Sequence, residues 1–79
     1  MPDVDNLSEH ILKSMQRRGW TRDEIVEAAR AGDAFPAVDL TAGSAPATRY
    51  VNPQTGKSAV VNNQTGQVIH VGDVGFEYD

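Results

Sequence analysis

At 79 residues the chain is long enough for one domain and too short for two, because a smaller piece would bury too little of its own surface to be stable. With 39% hydrophobic and 23% charged residues it reads as globular, no run approaches bilayer-spanning length, and residues 1–9 lack the basic start and apolar stretch of a signal peptide. The absence of cysteine excludes disulfide staples, thiolate metal sites and thiol catalysis, and the net charge of −4 argues at first sight against a nucleic-acid partner.

The distribution of charge changes that last reading. Between Leu40 and Gly72 there is no Asp or Glu, while Arg49, Lys57 and His70 all fall there. A second basic group, Lys13, Arg17, Arg18 and Arg22, brackets the end of the first helix, so two basic patches are expected to face one concave surface.

The first helix is predicted over residues 7–18, with Asn6 as N-cap, Glu9 as its capping-box partner and Gly19 as the stop. At 100° per residue Ile11, Leu12 and Met15 share one face, His10, Lys13, Ser14 and Arg17 share the opposite one, and Arg18 sits between. Thr21-Arg22-Asp23-Glu24 is the strongest local signal: Thr21 caps a second helix, Glu24 completes the box, and Trp20 is placed to staple onto Ile25. That helix runs to about Ala31, and Gly32 stops it. Residues 33–46, with two prolines and several small residues, read as a connector holding at most a short edge strand at residues 38–40.

Beyond Ala47 the period becomes that of strands, at residues 48–52, 57–62 and 67–72. Their joints repeat: Asn52-Pro53-Gln54-Thr55-Gly56 and Asn62-Asn63-Gln64-Thr65-Gly66 share the form Asn-x-Gln-Thr-Gly. The expected fold is α+β: two N-terminal helices packed on one face of a small three-stranded antiparallel meander, all in a single domain.

The chemistry available is sparse. Neither of the two histidines has a partner at metal-ligand spacing, and there is no glycine-rich phosphate loop or nucleophile elbow. Acid–base chemistry with cationic support remains. RNA transesterification needs little more, because the substrate brings its own nucleophile, the 2′-hydroxyl; the protein must supply a proton acceptor, a proton donor and charge around the phosphorane. His10, Lys13 and Arg17 form a row along one helix face, a row the solvated side of any amphipathic helix also presents. Alternation sets His70 opposite Ile69 and Val71, as a site residue or an ordinary exposed one, and sets Thr48 and Tyr50 on the face opposite Arg49. Tyr50 can equally pack under the helices, Lys57 and Thr65 sit at turns, and Trp20 reads as a staple before a base-stacking platform.

Two segments together resemble a known family. Arg18-Gly19-Trp20-Thr21 with Glu24-Ile25, then Pro46-Ala47-Thr48-Arg49-Tyr50-Val51-Asn52 leading into Val60-Val61-Asn62 and Thr65-Gly66-Gln67-Val68, look like the C-terminal ribonuclease domain of colicin E-five. The resemblance covers residues 10–73 and implies the barnase/EndoU/colicin/RelE fold group, in which helices back an antiparallel sheet whose exposed face holds RNA.

It implies an endoribonuclease toxin that cleaves tRNA, in the anticodon loop, without a cofactor and leaves a 2′,3′-cyclic phosphate. Such domains tip contact-dependent and other polymorphic bacterial toxins, are delivered from the secreting cell into a target cytoplasm, and are neutralised by a cognate immunity protein; a monomer apart from that complex is expected. When the Arg-Gly-Trp-Thr segments are superposed, a basic helix residue, lysine in the colicin, falls on His10, and the functional arginine falls on Arg18. Histidine, with a pKa of about 6.5, is the better general base near neutrality.

The implied catalytic set is therefore His10, Arg18, Thr48 and Tyr50, with Lys13, Arg17, Arg49, Lys57, Thr65 and His70 binding substrate. Two departures stand out: the connector is acidic where the colicin's is basic, and the colicin's C-terminal tryptophan is missing, leaving Phe76 or Tyr78 for stacking. The alternatives carried forward are a catalytically silent RNA- or protein-binding domain of the same fold, and a ribosome-dependent ribonuclease of the RelE kind.

Overall fold

The computed structural model describes residues 2–75. Phe76 and Tyr78, the aromatic candidates for stacking, lie outside the described residues. Helix α1 (Glu9–Arg18) and helix α2 (Arg22–Ala31) are followed by strand β1 (Asp33–Asp39), a short 3₁₀ helix (Leu40–Ala42), and strands β2 (Ala45–Val51), β3 (Lys57–Asn62) and β4 (Val68–Val74). The fold is α+β, with both helices on one face of an antiparallel sheet ordered β1-β2-β3-β4.

The start of α1 differs from the sequence reading. Ser8 is the N-cap, and its hydroxyl accepts from the Ile11 N–H at 3.2 Å. Asn6 turns away to donate to Asp3 at 2.9 Å, and Glu9 pairs with Lys13 at 3.3 Å instead of closing a box. Both Asn6 and Ser8 are competent caps; starting at Ser8 leaves Leu7 free to pack against the core from outside the helix. The buried stripe of α1 is Ile11, Ser14 and Met15, so Ser14 faces inward and Leu12, 38% exposed, faces outward.

Helix α2 follows its signals closely. The Thr21 hydroxyl accepts from the Glu24 N–H, the Glu24 carboxylate accepts from the Thr21 N–H at 2.8 Å, and Trp20 and Ile25 are buried in one cluster. Each box bond satisfies a donor the first helical turn would leave unpaired.

The largest departure is β1. The supposed connector is a seven-residue strand paired along its whole length with β2, from Asp33 against Val51 to Asp39 against Ala45, which makes the sheet four-stranded. Its sequence hides this, having no clean alternation and a proline in its middle. Pro36 is tolerated because β1 is an edge strand, where a missing N–H need not break the ladder.

The repeated motif is two copies of one turn. In each, the buried asparagine's side-chain oxygen accepts from the backbone N–H groups two and three residues on, and the glycine N–H closes onto the asparagine carbonyl at 2.9 Å. Gly56 and Gly66 take φ of 73° and 74°, the left-handed region that a side chain resists. The leftover amide donors anchor the turns differently. Asn52 donates to the Glu24 carbonyl of α2, and Asn62 donates to the Asp39 carboxylate at the end of β1, both at 2.9 Å.

Ile11, Met15, Trp20 and Ile25 pack against Ala59, Val61, Val68 and Val71 to form the core, with Val4, Leu7 and Tyr50 at its margin. No helix among the described residues is long and apolar enough to cross a membrane.

Candidate active site on the open face of the sheet

Strand register sets a row of side chains on the face away from the helices. Phe35 pairs with Arg49, Arg49 with Val60, and Val60 with His70, so one residue from each strand lies along a line across the sheet. Neighbouring strands are about 4.8 Å apart, which puts the Arg49 and His70 backbones roughly 10 Å apart with Val60 between them. Val60 is fully buried although no helix covers this face. Arg49 leans toward β1: its guanidinium carbon lies 4.5 Å from the Phe35 ring centroid, and one of its nitrogens donates to the Ser58 hydroxyl at 3.0 Å.

His70 keeps its place through a bulge. Val61 pairs with Val68 and Val60 with His70, so β4 carries one residue more than β3 there. Simple alternation set Ile69 and Val71 together opposite His70. With the bulge, Val68 and Val71 both enter the core, Ile69 stays half-buried outside it, and His70 is half-buried rather than solvated.

Helix α1 brings two more groups to His70. His10, exposed at the first turn of α1, lines a small cavity of about 110 Å³ with Thr41, Gln67 and Ile69, the residue before His70. Arg18, in the last turn, donates to the Val71 carbonyl, the residue after His70, at 3.3 Å. Burial, then the positive charge of Arg18, then that of His10, lower the His70 pKa from its ordinary 6.5. A neutral imidazole, an exposed imidazole and a guanidinium therefore gather at one rim of the open face. Arg17, two turns from His10 along the same flank of α1, is exposed.

The other expected residues are placed elsewhere. Thr48 and Tyr50 lie on the helix side of the sheet, where they line a polar cleft of about 510 Å³ with Asn63, Gln64 and Thr65. There Thr48 donates to the Asn63 side chain at 2.7 Å, the Thr65 hydroxyl accepts from the Gln67 N–H, and Tyr50 packs against the core. The four expected catalytic residues are thus divided, His10 and Arg18 at the rim of one face and Thr48 and Tyr50 under the other.

Lys57 donates to the Arg18 and Gly19 carbonyls at 2.8 and 3.1 Å and lies 6.0 Å from the Trp20 ring centroid, capping the negative end of α1. Lys13 lines a separate cleft of about 620 Å³ with Leu12, Trp20 and Arg22, and Arg22 itself donates to the Val4 carbonyl. The two basic groups therefore do not share one surface in full.

Sequence reasoning missed the residues that β1 supplies. Phe35 is one. Asp39 is another: buried at the end of β1, its carboxylate accepts from the Thr41 hydroxyl and N–H and from Asn62, and these bonds, Thr41's first, hold its pKa below the ordinary 3.8. The network fixes Thr41, which with His10 lines the small cavity. The signal was present, since Asp39-Leu40-Thr41 has the form of an aspartate capping a turn two residues on. Among the described residues no group of three or more His, Asp or Glu is arranged to hold a metal ion. Compared with known proteins, the chain matches no family model, no curated protein and no solved structure.

Proposed function

We propose that this domain is a metal-independent endoribonuclease that cuts tRNA in the anticodon loop by attack of the 2′-hydroxyl on its own phosphate. The observation that carries the reading is the gathering of His10 and Arg18 around His70 at the rim of the open face. Two imidazoles of different environment and a guanidinium meet the minimal requirement of the reaction.

In this reading His70, kept neutral by burial and positive neighbours, takes the proton from the 2′-hydroxyl. The oxygen then attacks phosphorus, and Arg18 stabilises the charge that collects on the phosphorane. His10, open to solvent, protonates the departing 5′-oxygen. The products are a 2′,3′-cyclic phosphate and a free 5′-hydroxyl, and both histidines are reset by exchange with water. Arg17 and Arg49 hold the strand on either side, while Thr48 and Tyr50 belong to the packing beneath the sheet. The likeness of the Arg-Gly-Trp-Thr and Ala-Thr-Arg-Tyr-Val-Asn segments to a tRNA-cleaving colicin domain supports the substrate class and a role as a growth-inhibiting toxin delivered into a target bacterium's cytoplasm, with a cognate immunity protein as partner.

The test is to incubate the folded domain with total tRNA in EDTA beside His10→Ala and map the cut ends. Discrete cuts ending in cyclic phosphate are expected, with a loss of about a hundredfold or more in the variant. No cleavage by the folded wild type removes the ribonuclease reading. Undiminished cleavage by His10→Ala removes His10 from the mechanism.

A further inference from the structure

The row across the open face does not end at His70. Its other end, on β1 and β2, is a flat platform: the Arg49 guanidinium lies over the Phe35 ring at 4.5 Å and is tethered by the Ser58 hydroxyl. Phe35 is 42% exposed, one of the few large apolar side chains left open to solvent among the described residues. The two side chains border a cavity of about 300 Å³ that also takes in Asp33, Val51 and Ser58.

Its charge says what fits there. Asp33 faces the same space as Arg49, so the cavity offers one carboxylate against one guanidinium and no excess of positive charge to hold a phosphate. A planar, uncharged heteroaromatic group suits it better. Such a ring stacks on a guanidinium plane or an aromatic side chain and finds an acceptor at its edge in the Asp33 carboxylate. Arg49 lies two strand spacings and Phe35 three, roughly 10 to 14 Å, from His70 on the same face, a gap that a short extended single strand can span.

We propose that Phe35 and Arg49 form a base-stacking subsite for a nucleotide flanking the scissile phosphate, so that single-stranded RNA lies across the four strands from β4 to β1. This rests on the ribonuclease reading for what happens at His70, but the stacking itself requires no cleavage. In this arrangement Phe35 backs the guanidinium and Ser58 fixes its plane, and the subsite selects unpaired RNA because a base held in a helix cannot reach it.

Binding of a fluorescent 2′-O-methyl pentanucleotide, which lacks the nucleophile, tests the subsite apart from catalysis. Phe35→Ala and Arg49→Lys are each expected to weaken binding about tenfold, within the range stacking contributes, and Phe35→Trp to stay within threefold of wild type. Arg49→Lys keeps the charge and loses the plane, so retained affinity in that variant means a phosphate contact and overturns the proposal. Phe35→Leu keeps the apolar volume on β1 and removes the π face. It is expected to bind as weakly as the alanine variant, with wild-type affinity overturning the subsite even if Phe35→Ala folds poorly. A wild type that fails to bind the pentanucleotide also overturns it. Wild-type cleavage of tRNA with pentanucleotide binding indifferent to Phe35 ends the subsite and leaves the ribonuclease standing. Phe35-dependent binding without cleavage of any RNA does the reverse.

Discussion

The two faces of the sheet come from the same four strands and are put to opposite uses. Under the helices Ala59, Val61, Val68 and Val71 point into one apolar cluster, and the polar groups at its margin, Thr48 and Thr65, spend their bonds on the adjacent turn. On the open face the row runs Phe35, Arg49, Val60, His70, with Ser58 and Asn62 hydrogen-bonded beside it. The main core lies under the helices, while the open face buries a smaller set of groups, among them Val60, Ala47 and the Asp39–Asn62 pair. The open face also holds a half-buried histidine near an arginine.

Substitutions on the two faces sharpen this contrast. The largest expected effect is on cleavage: His70→Asn lowers kcat/KM for tRNA by about a hundredfold or more, while Tyr50→Phe lowers it less than about threefold. Comparable losses in both, measured on folded protein, would place the chemistry under the helices.

The twin turns give the next contrast, in stability. Asn52→Ala and Asn62→Ala each strip a turn of its acceptor and its anchor and are expected to cost about 2 kcal/mol in denaturant unfolding. Only Asn62→Ala also loosens Asp39 and Thr41 on the open face, so it alone should reduce cleavage by the folded fraction. Equal activity in the two variants would disconnect the Asp39 network from the site.

The smallest effect expected is in pH dependence. Because the folded pKa of His70 is lowered, the unfolded chain, titrating near 6.5, takes up the proton first as pH falls. Stability is therefore unaffected by His70 above that pH and declines below it until the folded histidine also protonates. His70→Asn should flatten that decline. Asp39, lowered in the same direction, adds stability above 3.8 that is lost as acidification protonates it. A melting temperature that rises between pH 7 and 5.5 in the wild type would contradict the assignment for His70.

What was legible in the chain followed from local chemistry. The Thr21–Glu24 box, the Asn-x-Gln-Thr-Gly turns and the strands flanking them are each written within a few residues, and each formed. The opposition of Arg49 to Thr48 and Tyr50 was readable from alternation, but which side stays open depends on where the helices dock. Strand β1 was not readable, because Asp-Ala-Phe-Pro-Ala-Val-Asp has little pattern of its own and becomes a strand by pairing with β2. Alternation did set His70 opposite the core residue Val71, but the bulge that leaves Ile69 out of the core is one that period-two reasoning cannot place. Of the open-face row, Phe35 was hidden with the strand that carries it.

Pro36 has a consequence for how molecules of this protein meet one another. Strand β1 is one of the two edges of the sheet, β4 being the other, and its central Phe-Pro-Ala would otherwise offer a continuous template for the strand of a second copy. The proline withholds a donor midway along that template and shortens any addition to a few residues on either side. At the β1 edge, copies crowded together at high local concentration thus lack an easy route to pairing strand against strand.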